Sequence, residues 1–160
     1  MTIYRSAGNN FEDKAGVRTF EAAAYLRRCG ADTTRVRKYF RDSMEDYKLR
    51  AETVRRAEVY KDDYIISICP NNGRNLNQTI VAAQAANELL EIRGIKASFV
   101  LTEFEGKIYI SARSIDEVNV QVMMEKLGGG GHLSVAGAQF TGITIEEALE
   151  KLKAVLEEDA

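Results

Sequence analysis

The sequence predicts an α/β (α+β) fold, a mixed β-sheet flanked by helices, with an N-terminal helical connector segment. Three observations predict it. Helical spacing and caps occupy the first third of the chain, and from about residue 59 strand-like runs alternate with amphipathic helices. The composition, 45% hydrophobic and 29% charged with a single proline in 160 residues, supports one well-buried domain plus a shorter appended piece. The pattern changes near Arg56 to Val59, which divides the chain into a connector over 1–58 and a sheet domain over 59–160.

In the connector, Thr19 is expected to open a helix through Ala22-Ala23-Ala24-Tyr25-Leu26, ended by the cations Arg27 and Arg28 and by Gly30. Asp32 caps a short helix that places Val36, Tyr39 and Phe40 on one side, and Ser43 caps a third with Glu45 and Asp46 in its first turn. Beyond the boundary, Tyr64 to Cys69 reads as a strand. Asn77 to Ile92 reads as an amphipathic helix stopped by Gly94. Ala97 to Phe104 and Lys107 to Arg113 form a hairpin turned by Glu105-Gly106. Ser114 to Glu117 has the form of a capping box for the helix that carries Met123, Met124 and Leu127. Ala138 to Thr141 suits a short strand, and Thr144 with Glu147 is a second capping box opening the last helix.

Charge and apolar patterning exclude several classes. No run approaches the roughly 20 apolar residues that span a bilayer, and Met1-Thr2-Ile3-Tyr4-Arg5 opens no signal peptide, so the expected compartment is the cytoplasm. A net charge of −2 disfavours a grip on long nucleic acid, which calls for a basic surplus. Cys29 and Cys69 have neither CxxC spacing nor a neighbouring second ligand and are expected as reduced thiols.

The strongest local anomaly is Gly128-Gly129-Gly130-Gly131-His132. A helix cap explains one glycine of the four. The others cost chain entropy, and they suit either a flexible turn or a backbone that approaches an anion closely. No Lys-Ser or Lys-Thr follows, so this is not a P-loop. His132, the sole histidine, would stand beside such an anion site. On the strand to Arg113, a period of two puts Tyr109, Ser111 and Arg113 on one face, where the guanidinium can take phosphate bidentately or remain a solvated strand end. Asn119 would add a polar contact at the same mouth. One histidine and no spaced Asp or His cluster make no metal site and no catalytic set, so catalytic and metal-ligating residues are expected to be absent from this chain.

These segments resemble a known family. Lys14 to Ala23, Ala97-Ser98-Phe99-Val100, Ile110 to Ser114 with Val118 to Gln121, and Gly129-Gly130-Gly131-His132 are similar to the DHH-associated domain of the first type, as it occurs in GdpP-type cyclic-di-AMP phosphodiesterases. The resemblance implies a two-lobed hydrolase in which a DHH lobe binds two manganese ions and the associated lobe grips the nucleotide. It implies that Arg113 and Gly129, Gly130, Gly131 and His132 hold a cyclic or linear dinucleotide, with Ser111 and Asn119 nearby. Residues 11 to about 58 would then be the end of the DHH lobe and its connector. The DHH motif would lie before residue 1, and the family's last metal-binding aspartate falls where this chain has Ala7. The chain alone is therefore expected to be inactive, with the DHH lobe as its partner and a membrane anchor elsewhere in the parent protein.

A nano-RNA phosphodiesterase lobe acting on short RNA is the alternative within the superfamily, and Arg18 to Arg28 favours the cyclic dinucleotide. A non-catalytic nucleic-acid-binding module is the alternative from a different class. A homodimer through the connector surface is left open.

Overall fold

The computed structural model describes residues 16–71, 73, 77–115 and 118–158 of the chain. They fall into two compact units, one ending at Asp42 and one running from Ser43. In the first unit, α1 (Val17–Arg28) begins two residues earlier than expected. Gly16 occupies the N-cap position in extended backbone, and Thr19 lies within the first turn with its N–H donated to the Gly16 carbonyl. The second helix, α2 (Thr33–Lys38), is capped as predicted, Asp32 Oδ1 accepting from the N–H groups of Thr34 and Arg35.

The second unit runs α3 (Met44–Arg55), β1 (Glu58–Tyr60), β2 (Tyr64–Cys69), α4 (Gln78–Leu89), β3 (Ala97–Phe104), β4 (Lys107–Ser114), α5 (Val120–Lys126), β5 (Gly130–His132), β6 (Val135–Thr141) and α6 (Ile145–Glu158). The six strands form one sheet in the order β1-β2-β3-β4-β6-β5. The β2–β3 pair is parallel, joined by α4 as parallel strands require, and the remaining neighbours are antiparallel. The mixed sheet flanked by helices is the predicted class. The change of sequence pattern at 56–59 falls inside the second unit, because α3 packs with the sheet domain. Arg50 donates to Gln84 on α4 and pairs with Glu88, and Leu49 lies in the core beneath α4.

Local rules explain most element ends. Glu105 and Gly106 both have positive φ, 49° and 72°, which is the turn that matches the twist of a two-residue hairpin. Thr144 and Glu147 form the predicted reciprocal box, Thr144 N–H donating to Glu147 Oε2 and Glu147 N–H to Thr144 Oγ1. The box expected at Ser114 does not cap α5. Ser114 is the buried last residue of β4, its hydroxyl donating to the Val118 carbonyl, and Asn119 caps α5 instead, while Glu117 lies outside the described residues.

Register assigns the two faces of the sheet. On one face Phe99, Leu101, Ile108, Ile110, Ala112, Ala136 and Ala138 are buried against Met123 and Met124 of α5 and Ala148, Leu152 and Leu156 of α6. The other face is covered by α3 over β2 and by α4 over β3 and the near side of β4, where Ile65, Cys69 and Val100 pack with Leu49 of α3 under Val81, Ala82, Ala85, Ala86 and Leu89 of α4. The alanine stripe keeps α4 close to the strands.

The glycine tract solves a packing problem at the sheet edge. Gly128, at φ 77°, ends α5 with its N–H on the Glu125 carbonyl while Gly129 N–H returns to the Met124 carbonyl, the two bonds of a Schellman cap. A Cβ at Gly129 would stand 2.1 Å from the Gly137 carbonyl oxygen and 2.7 Å from Ala138 Cα. At Gly131 it would stand 2.5 Å from both Ala136 Cα and the Val135 oxygen, whereas Gly130 faces open space. The tract is thus a cap followed by an edge strand pressed onto the backbone of β6. A side chain at either contact forces β5 off β6. Gly129→Ala and Gly131→Ala are each expected to cost about 2 kcal/mol or more, and Gly130→Ala to stay within about 0.5 kcal/mol of the parent, in thermal or urea unfolding. Equal effects at all three positions would contradict this packing.

The two thiols differ in the same physical terms. Cys29, the C-cap residue of α1, is exposed, whereas Cys69, the last residue of β2, is buried and burial pushes its thiol above the ordinary value. Iodoacetamide at neutral pH is expected to alkylate Cys29 in the folded protein and Cys69 only after unfolding, read by peptide mass. Equal labelling under native conditions would contradict the burial.

Candidate functional site

The face that α3 covers over β2 and α4 over β3 and the adjoining side of β4 is left open by the helices of this unit over β6 and β5, and Tyr109, Ser111 and Arg113 of β4 stand half-buried at the edge of that cover. Register places three rows of residues there. Tyr109 lies opposite Gln139; Ser111 opposite Gly137, which lies opposite Gly130; and Arg113 opposite Val135, which lies opposite His132. Along β4 the alternation is regular, with Ile108, Ile110 and Ala112 buried and Tyr109, Ser111 and Arg113 half-buried. The structure therefore brings Arg113, Ser111, Gly130 and His132 onto one surface, although the residues come from two strands separated by a third.

The middle row has little to fill it. Gly137 and Gly130 carry no side chains, so two of its three positions expose bare backbone beside the Ser111 hydroxyl. Gly137 is itself required, since a Cβ there would meet the Ile110 carbonyl at 2.8 Å. The result is a shallow floor bounded by Arg113 and His132 at one end and by Tyr109 and Gln139 at the other. Because β5 is the last strand, alternate N–H and C=O groups along it point away from the sheet.

The end of the floor that carries the cation is fixed by several bonds. Ser114 N–H donates to the Ser134 carbonyl, and Val120 N–H donates to the Leu133 carbonyl, so the two-residue turn after His132 is tied to the end of β4 and the start of α5. The Arg113 guanidinium is turned inward. Its Nε donates to Asn87 Oδ1 on α4 at 2.8 Å and its Nη1 to the Ala112 carbonyl at 2.8 Å. Burial lowers its pKa from the ordinary arginine value.

Asn119 has a different place from the other candidates. It is half-buried at the N-cap of α5, and its Oδ1 accepts from the N–H groups of Gln121 and Val122. Gly129 and Gly131 belong to the packing of β5 on β6 and supply the floor's support. Residues that sequence reasoning passed over are Asn87 and Gln139, while Gly137 is legible only as one of the small residues Ser134, Ala136, Gly137 and Ala138 that let this segment lie close to a neighbouring surface. The one available signal for Asn87 was a single amide flanking the alanine stripe of the α4 helix.

Two further observations bound the chemistry. Among the described residues no group of three or more His, Cys, Asp or Glu side chains is placed to hold a metal ion, so manganese has no ligand set among them. No helix of the described residues is long and apolar enough to cross a membrane. A cleft of about 680 Å³ lies at the opposite end of the sheet, lined by Arg55, Arg56, Tyr60, Ile66, Leu149 and Lys153. It offers little free charge, because Arg55 and Arg56 both hold Glu52 and Lys153 pairs with Glu150.

Comparison with known proteins agrees with this architecture. The chain is 43% identical over 150 residues to the cyclic-di-AMP phosphodiesterase GdpP of Bacillus subtilis, covering 93% of this chain and 23% of that protein. It is 44% identical over 144 residues to the cyclic-di-AMP phosphodiesterase PdeA of Listeria monocytogenes, covering 89% of this chain and 22% of that protein. The chain thus spans less than a quarter of the length of these relatives. In fold it is similar to an exopolyphosphatase-related protein from Bacteroides fragilis, with a TM-score of 0.80 at 22% identity, over 98% of this chain and 47% of that one. Residues 62–158, which include the whole open face, match the DHHA1 domain, and the chain belongs to the DHHA1 domain family.

Proposed function

We propose that this chain is the substrate-gripping part of a DHH-family phosphodiesterase that hydrolyses cyclic di-AMP to a linear dinucleotide, and that the open face of β4, β6 and β5 is where the dinucleotide docks. The observation that carries the reading is the adjacency of the Arg113–Val135–His132 row to the Ser111–Gly137–Gly130 row. A phosphodiester needs a cation and hydrogen-bond donors, and its sugars need room to lie close to them. Arg113 provides charge and N–H groups, His132 a ring N–H from the far side, and the glycines provide the room. Arg113 and His132 are two strands apart, roughly 10 Å between their Cα atoms, so a ligand between them is held from both sides.

The division of labour supported here is that binding resides on this surface, while metal-assisted attack, with manganese expected from the family resemblance, belongs to a DHH lobe. The names of the two curated relatives support cyclic di-AMP as the substrate over short RNA. The cytoplasm is the proposed compartment.

Calorimetric titration of the chain with cyclic di-AMP, its linear product and a short RNA, with and without manganese, tests the proposal. Both dinucleotides are expected to bind in either condition. Arg113→Ala is expected to weaken binding about tenfold or more through loss of a charge-assisted contact, and His132→Ala to weaken it several-fold. Gly130→Ala is expected to keep the parent Tm and still weaken binding, because its methyl group would stand on the floor. Parent-like affinity in both Arg113→Ala and Gly130→Ala would sink the site. Manganese-dependent hydrolysis by this chain would sink the division of labour.

A further inference from the structure

We propose that Asn87, on α4, is a positioning residue for phosphate recognition, one that holds the Arg113 guanidinium in place while leaving its positive charge uncompensated. This rests on the reading of the open face given above.

The chemistry of the contact is unambiguous. Arginine has only donors, so the Asn87 atom 2.8 Å from Nε must be the amide oxygen. The second acceptor, the Ala112 carbonyl, is also neutral. Taking a cation out of water is costly, and a carboxylate is the partner that most often offsets that cost where a guanidinium is withdrawn from solvent. Among the described residues no carboxylate pairs with Arg113; its recorded partners are one amide and one backbone carbonyl. The guanidinium is therefore oriented by dipoles and keeps its full charge. Nε and one N–H of Nη1 are engaged, and the remaining N–H groups on Nη1 and Nη2 stay available for a ligand.

The location gives the contact its purpose. Asn87 is half-buried on the side of α4 that faces β4, and Arg113, half-buried at the end of β4, turns its guanidinium toward it at the edge of the cover that α4 provides. Ala86, the preceding residue, is fully buried, and its carbonyl accepts from the Ser98 hydroxyl, so the helix backbone at this point is anchored to β3. Ser98 in turn lies opposite Arg113 in the β3–β4 register. The amide is thereby presented from a fixed helix to a fixed strand. An aspartate at the same place would satisfy the same donor and cancel the charge. Neutral asparagine is the side chain of that size that orients a guanidinium and leaves it attractive to an anion.

Asn87→Asp separates this role from a merely structural one. If Asn87 only stabilises the fold, aspartate keeps the acceptor, adds an ion pair, and leaves both stability and binding intact. If it positions an uncompensated cation, Asn87→Asp keeps or raises the Tm while cyclic di-AMP affinity falls about tenfold or more, and the salt dependence of binding becomes shallower. Asn87→Ala is expected to weaken binding by about the same factor, with the salt dependence preserved, because the charge remains and only its orientation is lost. Calorimetric titration with cyclic di-AMP at two or more salt concentrations, alongside thermal melts, reads all of these. Parent-like binding by Asn87→Asp, in titrations where Arg113→Ala has lost binding, overturns the positioning role and leaves the docking site standing. Parent-like binding by Arg113→Ala overturns both.

Discussion

The close approach of one backbone to another, β5 onto β6, is the constraint on which the rest of the functional surface depends. Gly129 and Gly131 leave no room for a Cβ against Gly137, Ala138 and Ala136. That contact turns the end of a helix directly into an edge strand. Without it the strand would stand off the sheet, His132 would leave the row that it shares with Arg113, and Gly130 would no longer continue the floor begun by Gly137. The entropy lost in ordering four consecutive glycines is offset by the cap bonds of Gly128 and Gly129 and by the close backbone packing of Gly129 and Gly131 on β6, while Gly130 faces open space.

Partial coverage of the sheet is the second determinant. Two helices share the cover on this face: α3 lies over β2, and α4 packs its alanine stripe over β3 and meets β4 with a polar side chain at its edge. The border between covered and open sheet is a region of intermediate dielectric, and that is where Arg113 lies. A guanidinium in full solvent would be screened, and one in the core would need a carboxylate. At the border, held by an amide and a carbonyl, it retains both orientation and charge. The opposite face, packed by α5 and α6, supplies the rigidity that makes this placement reproducible.

Much of this was legible in the sequence because it is local. Asp32, Ser43 and the Thr144–Glu147 box cap their helices, and Glu105-Gly106 turns its hairpin, through chemistry confined to a few consecutive residues. Period-two alternation put Tyr109, Ser111 and Arg113 on one face before any partner strand was known. What was not legible is non-local. That Gly130 and Gly131 form a strand depends on β6 lying beside them, since glycine has no strand propensity of its own to signal it. The capping box at Ser114 failed because strand pairing with β3 took that residue as its last member, leaving Asn119 to cap the helix. Asn87 reaches Arg113 from 26 positions away, and a single amide on a helix looks like a solvated residue until the opposing strand is in place.

The dimensions of the open face bear on which ligand suits it. It is three strands wide, about 10 Å from β4 to β5, and its three rows span about 13 Å along the strands. A surface of this size, with one oriented cation and one imidazole, suits one or two nucleotides. A long single strand would need a basic track that continues beyond the floor, and the chain's net charge is −2. At the other end of the floor, Tyr109 and Gln139 lie about two residue pairs from Arg113, a separation suited to a base stacking on the ring while its phosphate reaches the guanidinium. A compact dinucleotide docked as proposed, with its phosphate and base at fixed separation, would use both ends of the floor at once. A lone phosphate uses only one, and that difference is the physical ground for preferring a dinucleotide over a simple phosphate ester.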